Sequence, residues 1–332
     1  YTLLLYRRAN VAKCCNEVKV FFTFWQIFFV GRTPTLAVAR ISPKNYYLCK
    51  LKFDQMRKIL IILCALLAVA CGGTNAPTDN RPTITVSIAP LKSLTEAIVG
   101  DGVCVEVLIP AGASPETFEP TPRQITAMAD SRAVYTVGLI EFERSLTART
   151  GIATTPLCEG IELIGGHYHN GHNHGADPHI WTSPRELRVM ASNLHRHLRT
   201  IFPDSTHYDV RYAQLDSALV ELDHYVASCW AMADRDYFII YHPALTYYAR
   251  AYGIEQVAIE QEGREPSARS LTTLIERARQ DSVKRIFYQR PYPASVVEVV
   301  AESIGAEAVE FDPLAEDVRG MIRSITVKMA LE

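Results

Sequence analysis

The sequence predicts an α/β protein of two lobes, each with a mostly parallel sheet, joined by a single long rigid linker helix. From Thr83 onward, short β-rich runs alternate with helical patterns, which is typical of α/β proteins. One long uninterrupted helical pattern separates two such series. The chain has 332 residues, which is enough for two domains that each bury a core of their own.

The N-terminal lobe is assigned to residues 83–203. Its predicted strands are the three β-rich runs Thr83–Ile88, Val103–Ile109 and Ala133–Val137. Ser183 followed by Pro184 predicts a helix start, because proline is favoured at the first helical position. That helix is expected to end before Pro203.

The linker helix is assigned to residues 204–233, with its helical pattern at about 207–232. Its apolar side chains recur every three or four residues and form one stripe: Tyr212, Leu215, Leu219, Leu222, Val226 and Cys229. Neither glycine nor proline interrupts this stretch. A further packed helix is the alternative, but the length and the central position favour a rigid connector.

The C-terminal lobe, residues 234–332, repeats the α/β rhythm. Its predicted strands are the four β-rich runs Tyr237–Tyr241, Gln256–Ile259, Arg285–Tyr288 and Ala308–Phe311. Helical patterns separate these runs, notably Leu271–Gln280 and Ala294–Ile304. Gly305 is expected to end the second of these helices as a C-cap.

The N-terminal segments predict export. Residues 1–55 contain no methionine, and we interpret them as a non-native upstream extension; a membrane-associating extension is the alternative. Met56 begins a signal peptide, residues 56–70, with a positive start and an apolar stretch. Small residues precede Cys71, as at a lipoprotein cleavage site, so Cys71 is expected to be lipidated and to begin a flexible tether, residues 71–82. An ordinary signal peptide is the alternative.

Composition disfavours several classes of function. The formal net charge is −2, which gives no sign of the basic face expected of a nucleic-acid-binding protein. No apolar run reaches the roughly 18 residues needed to span a bilayer. Apart from Cys71, the exported part would keep Cys104, Cys158 and Cys229, and the sequence leaves open whether two of these form a disulfide.

A histidine-rich segment, residues 167–175, points to metal. Its imidazoles are interleaved with glycine and asparagine: His167, His169, His172 and His174. Such a segment cannot bury an apolar face, so a mobile surface loop is expected. Neutral imidazole is a good ligand for zinc, copper and nickel, which favours metal collection; a solvated loop without function is the alternative.

Four further side chains lie where α/β proteins bind ligands, beyond the carboxyl ends of strands. Glu116 follows the second predicted strand, and His179 precedes the helix that starts at Ser183. His242 and Asp312 each follow a predicted strand directly. Two candidates come from each half, so a cleft between the lobes would bring them together. Taken singly, the alternatives are a core histidine at position 242 and a turn residue at position 312.

Five motifs in order along the chain carry a resemblance to a known family. They are Gly112–Pro120, Asp177–Trp181, His242–Gly253, Glu262–Ser267 and Phe311–Leu314. They resemble the metal-binding receptors of zinc and manganese ABC importers, the ZnuA- and TroA-like cluster A-I solute-binding proteins. The resemblance covers about Thr83 to the C-terminus.

This resemblance implies two α/β lobes with a metal site in the cleft, held by Glu116, His179, His242 and Asp312. The family usually supplies a histidine where this chain has Glu116, and Glu119 or a water is the alternative at that place. The resemblance also implies a monomeric receptor, not an enzyme, that works in the periplasm or cell envelope. Such a receptor delivers metal to an importer permease in the inner membrane and is anchored in membrane lipid through its acylated cysteine.

Zinc is the expected metal, and manganese is the alternative. Zinc accepts tetrahedral nitrogen and oxygen ligands, whereas manganese favours carboxylate-rich sites. Glu116 shifts the expectation toward manganese, and the histidine-rich segment shifts it toward zinc. Because ligand imidazoles must be deprotonated, binding is expected to weaken below about pH 6.

Three other functions are alternatives. A metal-dependent hydrolase needs an open coordination position and a general base, and the sequence has neither an H-E-x-x-H motif nor a nucleophile elbow. A metal-binding adhesin or zinc chaperone without an importer is hardly distinguished from a receptor by sequence. A receptor for an organic ligand such as a siderophore would not require four ligands at strand ends.

Since the linker has no glycine or proline hinge, only a small lobe displacement is expected on metal release.

Overall fold

The computed structural model describes residues 80–115, 117–165, 168–169, 172–173, 175–260, 266–290, 292 and 294–331. From Asp79 onward the chain forms one compact unit. Several predictions lie outside the described residues. They concern the N-terminal segments with Cys71, the side chain of Glu116, the motif residues 262–265 and the side chains of the histidine-rich segment.

The first sheet has four parallel strands, β1 Thr83–Val86, β2 Cys104–Val107, β3 Ala133–Thr136 and β4 Thr155–Pro156, in the order β2-β1-β3-β4. Three helices connect them: α1 Ala89–Val99, α2 Pro122–Ala129 and α3 Glu141–Thr150. The start of α2 is a capping box, in which the side chains of Thr121 and Gln124 each accept from the other's backbone N–H. The three predicted strands are confirmed, and β4 and the connecting helices complete the half.

The histidine-rich segment contains a short antiparallel hairpin, β5 Tyr168–His169 and β6 His172–Asn173. The sequence predicts a mobile surface loop here; the structure adds a short stretch of paired backbone to it, and its mobility stays a prediction. Asn170 and Gly171 stand between the two strands in sequence, and this dipeptide favours two-residue hairpin turns.

Two long helices follow, α4 Pro184–Ile201 and α5 His207–Ala231. α4 has Pro184 in its first turn and ends before Pro203, as the sequence predicts. The apolar stripe predicted for α5 is buried from Leu215 to Cys229. α5 packs against α1 and α4. The helix itself is confirmed, and its role as a rigid connector stays a prediction.

The second sheet has four parallel strands, β7 Tyr237–Ile240, β8 Glu255–Ala258, β9 Arg285–Gln289 and β10 Glu307–Phe311, in the order β10-β9-β7-β8. Four helices belong to this half: α6 Thr246–Tyr252, α7 Ala268–Gln280, α8 Ala294–Ile304 and α9 Val318–Ala330. All four predicted strands and both predicted helices are confirmed, whereas α6 and α9 were not foreseen. Gly305 follows α8 at a φ of 70°, the left-handed conformation expected of a C-cap glycine.

One apolar core joins the two sheets through α5. It includes Ile84 of β1, Leu219 of α5 and Phe287 of β9, all almost fully buried. Because side chains alternate along a strand, Ile240 of β7 faces this shared core while Ile239 faces a second, smaller core on the other side of the sheet. The α/β class is confirmed. The lobe boundaries at 203/204 and 233/234 stay predictions.

No disulfide joins any two of the three described cysteines, Cys104, Cys158 and Cys229. Cys229 is buried on α5, and Cys104 and Cys158 are half-buried. The structure therefore answers the question that the sequence left open, and these cysteines form no disulfide with one another. In the described part of the chain, no helix is both long enough and apolar enough to cross a membrane.

Candidate metal centre

Two of the predicted ligands lie side by side. The imidazole rings of His179 and His242 are 5.2 Å apart between centroids and are inclined at 71°. His179 precedes a short 3₁₀ turn, Ile180–Thr182, that leads into α4, and His242 comes soon after the end of β7. Both side chains are largely buried, with 10% of the first and 12% of the second exposed. The fold thus joins two imidazoles from distant parts of the sequence.

His179 is oriented by a residue two positions before it. The Asp177 carboxylate accepts hydrogen bonds from the backbone N–H of His179 at 2.8 Å and from its ring Nδ1 at 2.9 Å. The Trp181 ring lies 5.2 Å from the imidazole. Burial by itself raises the pKa of Asp177, but the hydrogen bonds that its carboxylate accepts from His179 outweigh burial and hold that pKa below its usual value.

His242 is oriented by residues far from it in sequence. The Glu260 carboxylate lies 3.0 Å from His242 Nδ1, and Glu260 is only 8% exposed. The ring of Tyr292 stacks on the imidazole at 4.8 Å with an angle of 17°. The side-chain amide of Gln289 donates to the His242 carbonyl at 3.1 Å. Ring and backbone are therefore both held.

In both histidines the carboxylate contacts the same ring position: Asp177 contacts Nδ1 of His179, and Glu260 contacts Nδ1 of His242. A neutral imidazole that donates from Nδ1 carries its proton there, and its metal-binding lone pair is then on Nε2. Metal-ligating histidines usually have such a carboxylate or carbonyl partner on the other ring nitrogen. The pair therefore has the chemistry of two nitrogen ligands for zinc.

The segment that carries His179 is hydrogen-bonded to the loops beyond the second sheet. The indole N–H of Trp181 donates to the Pro313 carbonyl at 2.8 Å, next to Asp312. The Thr182 hydroxyl donates to the Ala244 carbonyl at 3.0 Å, two residues after His242. These two bonds fasten three predicted ligand segments to one another.

Tyr247 of α6 adds a further tie. Its hydroxyl donates to the Asp177 carbonyl at 2.8 Å and accepts from the Ile164 N–H at 3.2 Å. Tyr247 is completely buried. The backbone on both sides of the histidine-rich segment is therefore attached to the second half of the chain.

Asp312 follows β10 directly, as predicted, and is exposed. Its Oδ1 accepts from the Leu314 N–H at 2.9 Å, which is the turn role given above as the alternative. Within the described residues, no three His, Cys, Asp or Glu side chains lie close enough to hold a metal ion. The described centre is thus the histidine pair. Asp312 and Glu116 stay predicted ligands.

Glu119, the alternative ligand, forms an ion pair with Arg149. Its carboxylate is 2.8 Å from the guanidinium of Arg149, and its side chain is 63% exposed. Phe118 next to it packs edge-on against Phe142 of α3 at 5.3 Å. These contacts place Glu119 at the surface beside α3, which favours position 116 over position 119 for the predicted carboxylate ligand.

Glu260, Gln289 and Tyr292 are missing from the sequence-based prediction. The rule that ligands gather beyond the carboxyl ends of strands would have found them, since Glu260 follows β8 and the other two lie at and beyond the end of β9. Nothing in the sequence pairs Glu260 with His242, because strand neighbours are fixed only by the sheet order.

A family model described as zinc-uptake complex component A, periplasmic, matches residues 84–324. That range is more than half of the chain and includes both histidines. The chain belongs to this ZnuA family. The resemblance to cluster A-I metal receptors is confirmed.

Two similar proteins have names that refer to zinc. The zinc-binding lipoprotein AdcA of Streptococcus pneumoniae is 27% identical over 279 residues, which cover 78% of this chain and 56% of AdcA. The high-affinity zinc uptake system protein ZnuA of Bacillus subtilis is 29% identical over 271 residues, with 75% and 85% covered. The chain therefore spans little more than half the length of AdcA.

Solved structures agree with the ZnuA fold. A ZnuA deletion mutant with zinc bound matches with a TM-score of 0.69 and 31% identity, over 75% of this chain and 96% of that one. The metal-dependent lipoprotein YcdH of Bacillus subtilis matches with a TM-score of 0.65 and 25% identity, over 76% and 100%. The predicted α/β architecture of two sheets is thereby confirmed.

Proposed function

We propose that this ZnuA-family protein is the substrate-binding component of a metal ABC importer, which binds zinc outside the cytoplasm and delivers it to a membrane permease. The observation that carries the proposal is the pair His179 and His242, each with Nδ1 held by a buried or half-buried carboxylate. Such imidazoles are preorganised nitrogen donors. The role is binding and release of a cargo ion, not catalysis.

Glu116 and Asp312 would complete the coordination of the cargo. Two imidazoles and two carboxylates suit tetrahedral zinc, and the zinc-binding relatives support zinc over manganese. The histidine-rich segment, residues 167–175, would hold additional, weaker zinc. Manganese is the alternative cargo, favoured by the carboxylate at position 116.

Export and anchoring belong to the same proposal. Cys71 would be acylated after removal of residues 56–70 and would hold the monomeric receptor at the membrane beside its permease. The lipoprotein AdcA, among the relatives, supports an anchored, cell-envelope location.

The bonds around His179 suggest how cargo is released. Trp181 and Thr182 fasten the His179 segment to the loops next to Asp312 and His242. The shared core also runs through both sheets. We infer a small displacement on release rather than wide closure. Comparison of metal-free and zinc-bound crystal forms tests this inference, and a rotation of tens of degrees between the halves would contradict it.

Titration of the purified apoprotein with zinc and manganese tests the function. Tight zinc binding is expected, and His179→Ala and His242→Ala should each weaken it more than about 100-fold, beyond the loss typical of an outer-shell change. Failure of the wild type to bind either metal tightly, or unchanged binding by both variants, would refute the proposal. Deletion of residues 167–175 should remove the weaker sites and leave the tight site intact.

A further inference from the structure

Glu260 is fixed beside His242 by the sheet itself. Pairing of the neighbouring strands β7 and β8 continues beyond their ends, where the Ile259 N–H donates to the Ile240 carbonyl at 2.8 Å and the Glu260 N–H donates to the Tyr241 carbonyl at 2.9 Å. The residue after Tyr241 is His242. The carboxylate is thus carried by a backbone whose position relative to the histidine is set by consecutive hydrogen bonds.

Burial makes this contact energetically important. Glu260 is 8% exposed, and a carboxylate that leaves water needs a hydrogen-bonded or charged partner. His242 Nδ1, 3.0 Å from the carboxylate, is such a partner. Rotation of the His242 ring would break the hydrogen bond between Nδ1 and Glu260. The stacked ring of Tyr292 further restricts the orientation of the imidazole plane.

We propose that Glu260 is a positioning residue of the metal centre, one that directs Nε2 of His242 to the cargo and increases the preference of the site for zinc over manganese. The inference rests on the proposed function. It concerns a residue that does not touch the metal and acts only through the imidazole.

The preference follows from the chemistry of the hydrogen bond. A carboxylate acceptor on Nδ1 raises the basicity of the imidazole and strengthens donation from Nε2. Zinc binds nitrogen donors more strongly than manganese does, since manganese stands at the weak end of the divalent series and favours oxygen. A stronger imidazole donor therefore benefits zinc more. Glu260 would partly offset the shift toward manganese that a carboxylate at position 116 brings.

Glu260→Gln is the decisive variant. The amide keeps the size of the side chain and an oxygen that can accept from Nδ1, but it removes the charge. We expect zinc affinity, measured by competition with a chromophoric chelator, to fall about 10–100-fold, and manganese affinity to fall less. The ratio of zinc affinity to manganese affinity should therefore decrease.

Asp209→Asn is the matched control. Asp209 lies in the first turn of α5, where its carboxylate contacts the ring Nε2 of His195 at 2.8 Å. This variant also neutralises a carboxylate that contacts an imidazole, but on elements that carry none of the predicted ligands. Both metal affinities should match those of the wild type.

If Glu260→Gln leaves the ratio of zinc affinity to manganese affinity unchanged, because both affinities fall equally or neither falls, the positioning role is overturned. Tight zinc binding by the wild type would in that case still support the proposed function. A wild type that binds neither metal would defeat both. If Glu260→Gln does not fold, Glu260→Asp keeps the charge and withdraws it by one methylene. A smaller decrease in the ratio is then expected, and no decrease would overturn the proposal.

Discussion

His179 and His242 are proposed to bind the same metal ion, and their imidazole rings are supported in opposite ways. His179 donates two hydrogen bonds to the carboxylate of Asp177, only two residues away, one from its ring and one from its backbone N–H. His242 receives its support from Glu260, Gln289 and a stacked Tyr292, which the chain delivers from the ends of two other strands. One imidazole is oriented by local sequence and the other by the sheet.

The difference has a consequence for robustness. A local turn such as Asp177-Pro178-His179 keeps its geometry as long as its own few residues do. The surroundings of His242 depend on the register of β7 with β8 and β9, which the whole sheet maintains. Substitutions near His179 should therefore act on one ligand, whereas His242 should respond to changes at three separate strand ends.

Loss of the local support should have the largest effect. Asp177→Ala removes the carboxylate oxygen that accepts both hydrogen bonds from His179, so zinc affinity should fall about 10–100-fold. The buried His179 N–H also loses its partner, and the apoprotein should lose about 1–3 kcal/mol of unfolding free energy. Chelator competition and urea denaturation measure the two losses. A zinc affinity within about twofold of the wild type would mean that the local motif does not orient the ring.

The tie between the two regions comes next. Trp181→Phe keeps an apolar ring but deletes the N–H that bonds the Pro313 carbonyl, and it should lower the unfolding free energy by about 1–2 kcal/mol. Zinc affinity should fall as well, because the His179 segment loses a bond to the loop of Asp312. Urea denaturation and zinc titration provide the measurements.

Trp230→Phe provides the matched control. It deletes an indole bond to the Tyr248 hydroxyl, 2.7 Å long and made from the end of α5. Similar destabilisation with unchanged zinc binding is expected. Equal loss of zinc binding in both tryptophan variants would show that general destabilisation, and not the tie, weakens the site.

Removal of the Tyr292 ring that stacks on His242 should lower zinc affinity by a smaller factor. Tyr292→Leu removes an aromatic contact worth about 0.5–1.5 kcal/mol, so zinc affinity should fall about 2–10-fold. Tyr212→Leu removes a comparable stack on His195, at 4.3 Å, and should leave zinc binding unchanged. Calorimetric titration of both variants separates the two cases. A Tyr292 variant with full affinity would indicate that the carboxylate alone holds the ring.

The smallest effect is expected at the opposite end of β8. Hydrogen bonds from Arg277 hold the pKa of Glu255 below its usual value, so this pair stabilises the fold above that usual pKa and loses its contribution as the pH falls through the lowered one. Glu255→Gln should cost less than about 1 kcal/mol at neutral pH, since the pair is exposed. In thermal unfolding, the variant should differ less from the wild type at pH 3 than at pH 7. Reduced zinc affinity would show that β8 as a whole, rather than Glu260, positions His242.

Much of the fold was accessible from sequence because its signals are local. The stripe from Leu215 to Cys229 predicts α5, and Ser183 with Pro184 predicts the start of α4. The apolar runs around Ile84 and Phe287 predict buried strands. The short helix α6, from Thr246 to Tyr252, is not predicted from the sequence, because the apolar pattern of seven residues is too short to distinguish a helix from a turn.

The sequence alone predicts which residues would bind the metal. His179 and His242 stand in motifs whose spacing places them after or beside regular elements, and the Asp-Pro-His turn contains its own orienting carboxylate. Only the tertiary structure decided that these two imidazoles meet, that Trp181 ties their loops together, and that Glu260 is the partner of His242. The physical reason is that strand order and register are set by burial in the shared core, a sum of many weak contacts that no short stretch of sequence contains.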